Sequence, residues 1–218
     1  MDLLQAAKQR HSVRQYTDRV IEPDKRAEME AFIDDCNRSG DLSFKPVFNE
    51  PKAFDCFMAR YGKFSGVKNY LVLAGKKGDG VEEKVGYYGA KFLLFAQMSG
   101  LNTCWVALTY KKIKEALNLS AGEKVYSVIA FGYGKTNGAP RKSKTFEDVG
   151  CSDIEPVPGW FVNGVNTALL APTAMNQQKF RFKLNSNGTV TATTQSGFYV
   201  KTDLGIAKYF FNLGAGRI

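Results

Sequence analysis

The sequence contains one histidine in 218 residues, His11. A Ser-His-Asp or Cys-His enzyme would have to be built on that residue alone. The four cysteines, Cys36, Cys56, Cys104 and Cys151, are widely spaced and include no C-x-x-C. With so few partners no zinc site is expected, and the cysteines read as reduced thiols. No uninterrupted apolar run approaches membrane-spanning length. The opening stretch MDLLQAAKQRHS carries Asp2 and lacks a long apolar segment, so it is not read as a secretory signal. A soluble, cytoplasmic chain without membrane partners is the expectation. Also missing are a basic recognition helix, an RNP-type aromatic strand and a zinc finger. The net charge of +9 therefore points to an anionic cofactor or a solvated basic surface, and nucleic acid binding has no motif behind it.

What is present suits one large domain or two small halves sharing a core. Residues 2–11 read as a helix with Asp2 as N-cap. A second helix starts near Pro23, its apolar face being Met29, Phe32, Ile33 and Cys36, and it ends at Ser39-Gly40. Residues 41–52 read as loop or edge strand and 53–62 as a short helix. NYLVLA (69–74) and YSVIAF (126–131) are short apolar runs bounded by turn residues, which marks buried strands. Residues 81–99 form a long helix, apolar nearly all round at Phe92-Leu93-Leu94-Phe95, and so central. Helices follow over 110–118, 158–170 and 203–214. The segments 180–184 and 189–193 alternate around NSNG as a hairpin. Helices and strands intersperse, which predicts an α+β fold with an antiparallel or mixed sheet.

There is a weak internal echo. NYLVLAGKKGDG followed by YYGAKFLLF resembles FRFKLNSNG followed by DLGIAKYFF. Each is a strand, a polar turn with glycine, and a helix carrying alanine, lysine and an aromatic. The echo suggests two related halves, 1–145 and a shorter 146–218, with elements swapped between them.

Several stretches carry candidate chemistry. GYGKT (132–136) is not a P-loop, because Ile129 and Ala130 continue a strand where the pattern needs its first glycine, and no helix follows. In RHSVRQY (10–16), Arg10, Ser12 and Arg14 alternate. Extended backbone would put two guanidiniums and a hydroxyl on one face, a good clamp for an oxyanion. Lys142 and Lys144 repeat the theme around Ser143, and Lys63 is a third basic position. In APTAMNQQKF (171–180), Pro172 ends a helix. Thr173 and Asn176 then offer a hydroxyl and a carboxamide, able to read an edge that both donates and accepts hydrogen bonds.

Together these stretches resemble the FMN-dependent nitroreductase family. The matching segments are Arg10-His11-Ser12-Val13-Arg14, Gly100-Leu101-Asn102-Thr103-Cys104-Trp105, Gly132-Tyr133-Gly134 with Lys142-Ser143-Lys144, and Ala171-Pro172-Thr173-Ala174-Met175-Asn176-Gln177-Gln178. The order departs from the usual pattern, since the A-P-T segment comes late instead of after the second helix. Typical members are homodimers that build each flavin site from both subunits. The resemblance is thus to a subgroup with two swapped halves in one chain, an intrachain pseudo-dimer around a central helix. It implies a functional monomer with one FMN between the halves. Arg10, His11, Ser12, Arg14, Lys142 and Lys144 would hold the phosphate, ribityl chain and nearby pyrimidine edge, with Lys63 near flavin N1/O2. Pro172, Thr173, Ala174 and Asn176 would lie along the isoalloxazine. NADH or NADPH would supply hydride to the flavin, and a nitroaromatic, quinone or similar planar acceptor would remove it. No protein acid, base or metal is needed, because the two-electron chemistry belongs to the flavin. A flavin-storage protein and a basic nucleic-acid-binding domain are the alternative readings.

Overall fold

The computed structural model describes residues 1–113 and 119–218. Helix α1 (Leu3–Gln9) opens on Asp2, whose carboxylate accepts a hydrogen bond from Gln5 N at 2.7 Å, as an N-cap does. Helix α2 (Pro23–Gly40) has Pro23 in its first turn and buries Met29, Ile33 and Cys36. It stops at Asp41, which adopts a left-handed conformation and returns its N–H to Asn37 O. Strand β1 (Lys45–Val47), helix α3 (Phe57–Tyr61), strand β2 (Asn69–Lys76), helix α4 (Val81–Met98), strand β3 (Asn102–Val106) and strand β4 (Glu123–Gly132) follow. After them come helix α5 (Phe146–Val149), strand β5 (Gly150–Ser152), helix α6 (Gly159–Ala168), a 3-10 turn (Ala174–Asn176), strands β6 (Phe180–Leu184) and β7 (Val190–Thr194), and helix α7 (Val200–Gly214).

The contacts divide the chain into two units. One comprises Gln9–Val81 and Phe92–Pro140; the other comprises Met1–Lys8, Glu82–Lys91 and Arg141–Ile218. Each holds one sheet.

The first unit holds a four-stranded antiparallel sheet in the order β1-β2-β4-β3. Both faces of its central strands are covered. Tyr70, Val72, Val128 and Ala130 pack into a cluster with Val13, Tyr16, Phe54, Phe64, Cys104 and Val106. Leu71, Leu73, Ile129 and Phe131 are buried on the other side, where Phe92 of α4 meets Phe131 edge-on at 5.5 Å. Burial on both faces is why these strands read as unbroken apolar runs, with no alternation. Strand β3 does not read that way. Asn102 and Thr103 break the run, and the GLNTCW stretch gives no strand signal until it is paired with β4 through Asn102↔Gly132 to Val106↔Val128. The stretch 41–52 resolves as the edge strand β1. Of the helix expected over 110–118, residues 110–113 are not helical and the remainder falls outside the described residues.

The second unit holds a mixed three-stranded sheet, β5-β6-β7, with β5 parallel to β6 and the β6-β7 hairpin antiparallel. Its core is aromatic. Phe211 of α7 stacks on Phe182 of β6 at 4.5 Å and meets Phe161 of α6 at 5.7 Å. The first half of α4 crosses α7 at two glycines. A Cβ on Gly86 would lie 2.0 Å from Thr202 O, and one on Gly205 would lie 1.9 Å from Glu83 O. Backbone therefore rests on backbone. Beside the crossing, Tyr87 meets Tyr209 edge-on at 5.2 Å, and Lys208 pairs with Glu83. The two helices of the sequence echo are thus direct packing partners. A Gly205→Ala substitution is expected to destabilise the protein by about 1–3 kcal/mol, because the helices must separate to admit one methyl. Urea unfolding checks this against Gly159→Ala, whose added Cβ meets nothing within 4 Å and which should leave stability nearly unchanged.

Candidate functional site

The first group of candidate residues lies on the strip that leaves α1. Ser12 forms a parallel bridge with Thr103 of β3, and Val13 N donates to Thr103 O at 3.0 Å. Gln15 bridges Ser65, with Ser65 N donating to Arg14 O and Tyr16 N to Ser65 O. Tyr16 O–H donates to Val13 O at 2.7 Å and to Ala130 O at 3.2 Å. The strip is thereby pinned against three other segments. Arg10 is 2% exposed, Ser12 half-buried and Arg14 exposed, its guanidinium 5.9 Å from the Phe64 ring centroid. All three act on the Cys104 thiol. Burial pushes that thiol up, while the Arg14 and Arg10 charges and a hydrogen bond with Ser12 pull it back. The neighbouring Tyr16 phenol is raised far above its ordinary value, chiefly by burial. Thr103 Oγ1 is fully buried and has no hydrogen-bond partner among the described residues. His11 is half-buried. Lys63 is exposed in a left-handed conformation, two residues before Ser65.

The second group is held by side-chain amides. Arg141 donates to Leu169 O and Ala171 O at 3.2 and 2.8 Å, satisfying carbonyls that the end of α6 leaves open. Gln178, 1% exposed, is the hub of the turn. Its Nε2 donates to Ser143 Oγ and Leu169 O, and its Oε1 accepts from Lys144 N. Its own N–H donates to Thr173 Oγ1, and its carbonyl accepts from Lys144 Nζ at 2.8 Å. Asn176 Nδ2 donates to Lys142 O at 2.7 Å. Lys142, Lys144, Thr173 and Asn176 are thus drawn into one network, with Pro172 buried beneath it and Ala174 N tied to Asp203. The Lys144 ammonium and the Asn176 amide each give one N–H to that network. The turn also carries the Thr173 hydroxyl, which can donate, and Asn176 Oδ1, which can accept.

Asp203, in the first turn of α7, had no signal in the sequence. It is 5% exposed. Its carboxylate accepts from Ala174 N at 3.0 and 3.1 Å and from Gln177 Nε2 at 2.7 Å. Burial lifts its pKa to about 6, against the lowering effect of those two neutral donors. Gln178 was visible as the glutamine of the A-P-T motif without a role, and Arg141 lay hidden in a lysine-rich loop. A small concavity lined in part by Tyr16, Lys68, Gly132 and Tyr133 offers about 10 Å³, room for one water, and includes none of the candidate residues.

The Asp203 shift has a defined sign. A carboxyl whose pKa is higher folded than unfolded binds its proton more tightly in the folded state. It stabilises the fold fully below about pH 4, and that contribution is lost as pH rises through about 6. The stability difference between wild type and Asp203→Asn is therefore expected to shift by roughly 3 kcal/mol between pH 4 and pH 8, in favour of the asparagine variant at high pH. Urea titrations of both proteins across that range measure it. A constant difference would contradict the assignment.

The family model described as "Putative TM nitroreductase" matches residues 2–215. A solved structure from Thermotoga maritima, called a "putative nitroreductase", is similar over 98% of this chain and 83% of its own, at 24% identity and a TM-score of 0.68. A "putative nitroreductase in complex with FMN" from Desulfovibrio desulfuricans is similar over 72% of this chain and 99% of its own, at 22% identity and a TM-score of 0.53. A "Putative NADH dehydrogenase/NAD(P)H nitroreductase" from Bacteroides thetaiotaomicron covers 67% and 95%, at 21% identity and a TM-score of 0.51. No curated protein matches the sequence. Among the described residues no helix is long and apolar enough to cross a membrane. The match over nearly the whole length decides the affiliation: the chain belongs to this nitroreductase family and has its nitroreductase-like α+β fold.

Proposed function

We propose that the chain is an FMN-dependent NAD(P)H oxidoreductase that reduces nitroaromatic, quinone or similar planar acceptors. The observation that carries this reading is the strip bearing Arg10, Ser12 and Arg14, pinned through its backbone to Thr103, Ser65 and Gly134. Its donor chemistry fits a phosphate, since forked guanidiniums and a hydroxyl match phosphate oxygens. The buried Thr103 hydroxyl, without a partner among the described residues, lies on the strand that the strip bridges. Arg10, Ser12 and Arg14 would hold the phosphate end of FMN, with Lys63 toward the pyrimidine edge, where a cation stabilises a reduced anionic flavin. The Thr173 hydroxyl and Asn176 carbonyl would bind the ring system, one as donor and one as acceptor. Flavin, when bound, supplies the two-electron hydride chemistry. The residues of this chain bind and orient it. Lys142 and Lys144 enter this reading as supports of the turn, through the bonds to Asn176 and Gln178.

We further read the chain as two related halves fused into one functional monomer, with one FMN per chain. One fact supports this: the echoed helices α4 and α7 pack on each other through facing glycines.

Purified protein should be yellow with one FMN per chain, and anaerobic NADH or NADPH should bleach the absorbance. A colourless protein that cannot be reconstituted with FMN would overturn the reading. FMN that stays oxidised under both donors would indicate a flavin-binding protein without turnover. An Arg14→Ala variant is expected to weaken FMN binding by about ten- to a hundredfold, the contribution of a charge-assisted hydrogen bond. Fluorescence titration of apoprotein with FMN checks it.

A further inference from the structure

The turn that follows Pro172 is strained. Met175, Asn176 and Gln178 all have left-handed φ, at 50°, 55° and 43°, and none is glycine. Three such residues in four persist only when the surroundings over-determine them. Packing of the turn's own side chains does not supply the restraint at its apex, since Met175 is 92% exposed. Hydrogen bonds do. Gln178 holds the far end of the turn against residues 143, 144 and 169. The near end rests on Asp203, which reaches it from α7, 29 residues later.

We propose that Asp203 is a positioning residue, whose carboxylate fixes Ala174 N and Gln177 Nε2 and so locks the Thr173–Gln178 turn in the conformation that contacts the flavin. This rests on the flavin reading above. A carboxylate only accepts hydrogen bonds, so both donors must point toward it, which fixes the backbone at 174 and the side chain at 177. Gln177 passes the restraint on, because its Nε2 also donates to Phe198 O at 2.8 Å and joins the turn to the approach to α7. Keeping this carboxylate ionised in a buried site works against stability, and its neighbours are neutral amides. An interior chosen for stability alone would replace it with a neutral group. Its presence is accounted for by the geometry it imposes. Asparagine cannot reproduce that geometry, since one of its two terminal atoms is a donor and would face a donor.

The test uses full-length, FMN-loaded wild type, Asp203→Asn and Gln177→Ala. The second variant removes one arm at a partly exposed position and does not endanger folding. Hydrogen exchange at residues 174–178 should speed up in both variants. Turnover per bound FMN should fall about ten- to a hundredfold. FMN affinity should change far less, because the phosphate end is held elsewhere, and the Tm of Asp203→Asn at pH 8 should equal or exceed that of wild type. A purely structural role would give the reverse, a lowered Tm with turnover per FMN retained, and would overturn the proposal. So would unchanged exchange at 174–178 with wild-type turnover. Wild-type protein that takes up no FMN would sink the flavin reading together with the role assigned to Asp203. FMN-binding wild type with indifferent variants would sink the role of Asp203 alone.

Discussion

Helices α4 and α7 meet backbone to backbone at Gly86 and Gly205, and the unit built around α7 depends on that contact. Gly86 and Gly205 remove the Cβ atoms that would otherwise strike Thr202 O and Glu83 O. The close approach brings Tyr87 against Tyr209 and Glu83 against Lys208. It also sets the depth of the first turn of α7, from which Asp203 reaches the Thr173–Gln178 turn. Aromatic packing from Phe161 and Phe182 onto Phe211 holds the other side of the same helix. A helix clamped in this way is a rigid base for a strained loop.

Two different strategies hold the candidate residues. The strip bearing Arg10, Ser12 and Arg14 is held by its backbone, through bridges to Thr103, Ser65 and Gly134. Those bonds use main-chain atoms, so the strip's position does not depend on its charged side chains. The A-P-T turn is held by side chains, because left-handed residues cannot join a sheet ladder. Gln178, Asn176, Lys144 and Asp203 supply those bonds. The same polar atoms that look like ligand groups in a sequence can therefore be structural. Lys144 has such a part, since one N–H of its ammonium rests on Gln178 O.

This division explains how much of the site could be read in advance. Arg10, Ser12 and Arg14 announce themselves by alternation, a local property of extended backbone. Pro172 marks the end of α6 through its effect on the residue before it. Strand β3 escapes detection because Asn102 and Thr103 interrupt its pattern, and its identity comes only from pairing with β4. The glycines at 86 and 205 look like weak points in two helices until the helices are seen to touch there.

By itself the sequence determined the element types, from periodicity and capping residues: the buried strands β2 and β4, the hairpin β6-β7, and helices α1, α2, α4, α6 and α7. It also determined the motifs that tie the chain to its family. Only the tertiary structure decided that Gln178 is a hub, that Arg141 completes the end of α6, and that Asp203 restrains a turn 29 residues before it. The physical reason is range. Periodicity and caps act over a turn or a strand. A buried carboxylate acquires its role from donors that reach it only when distant segments are packed together, and nothing in the sequence around Asp203 differs from an ordinary acidic residue opening a helix.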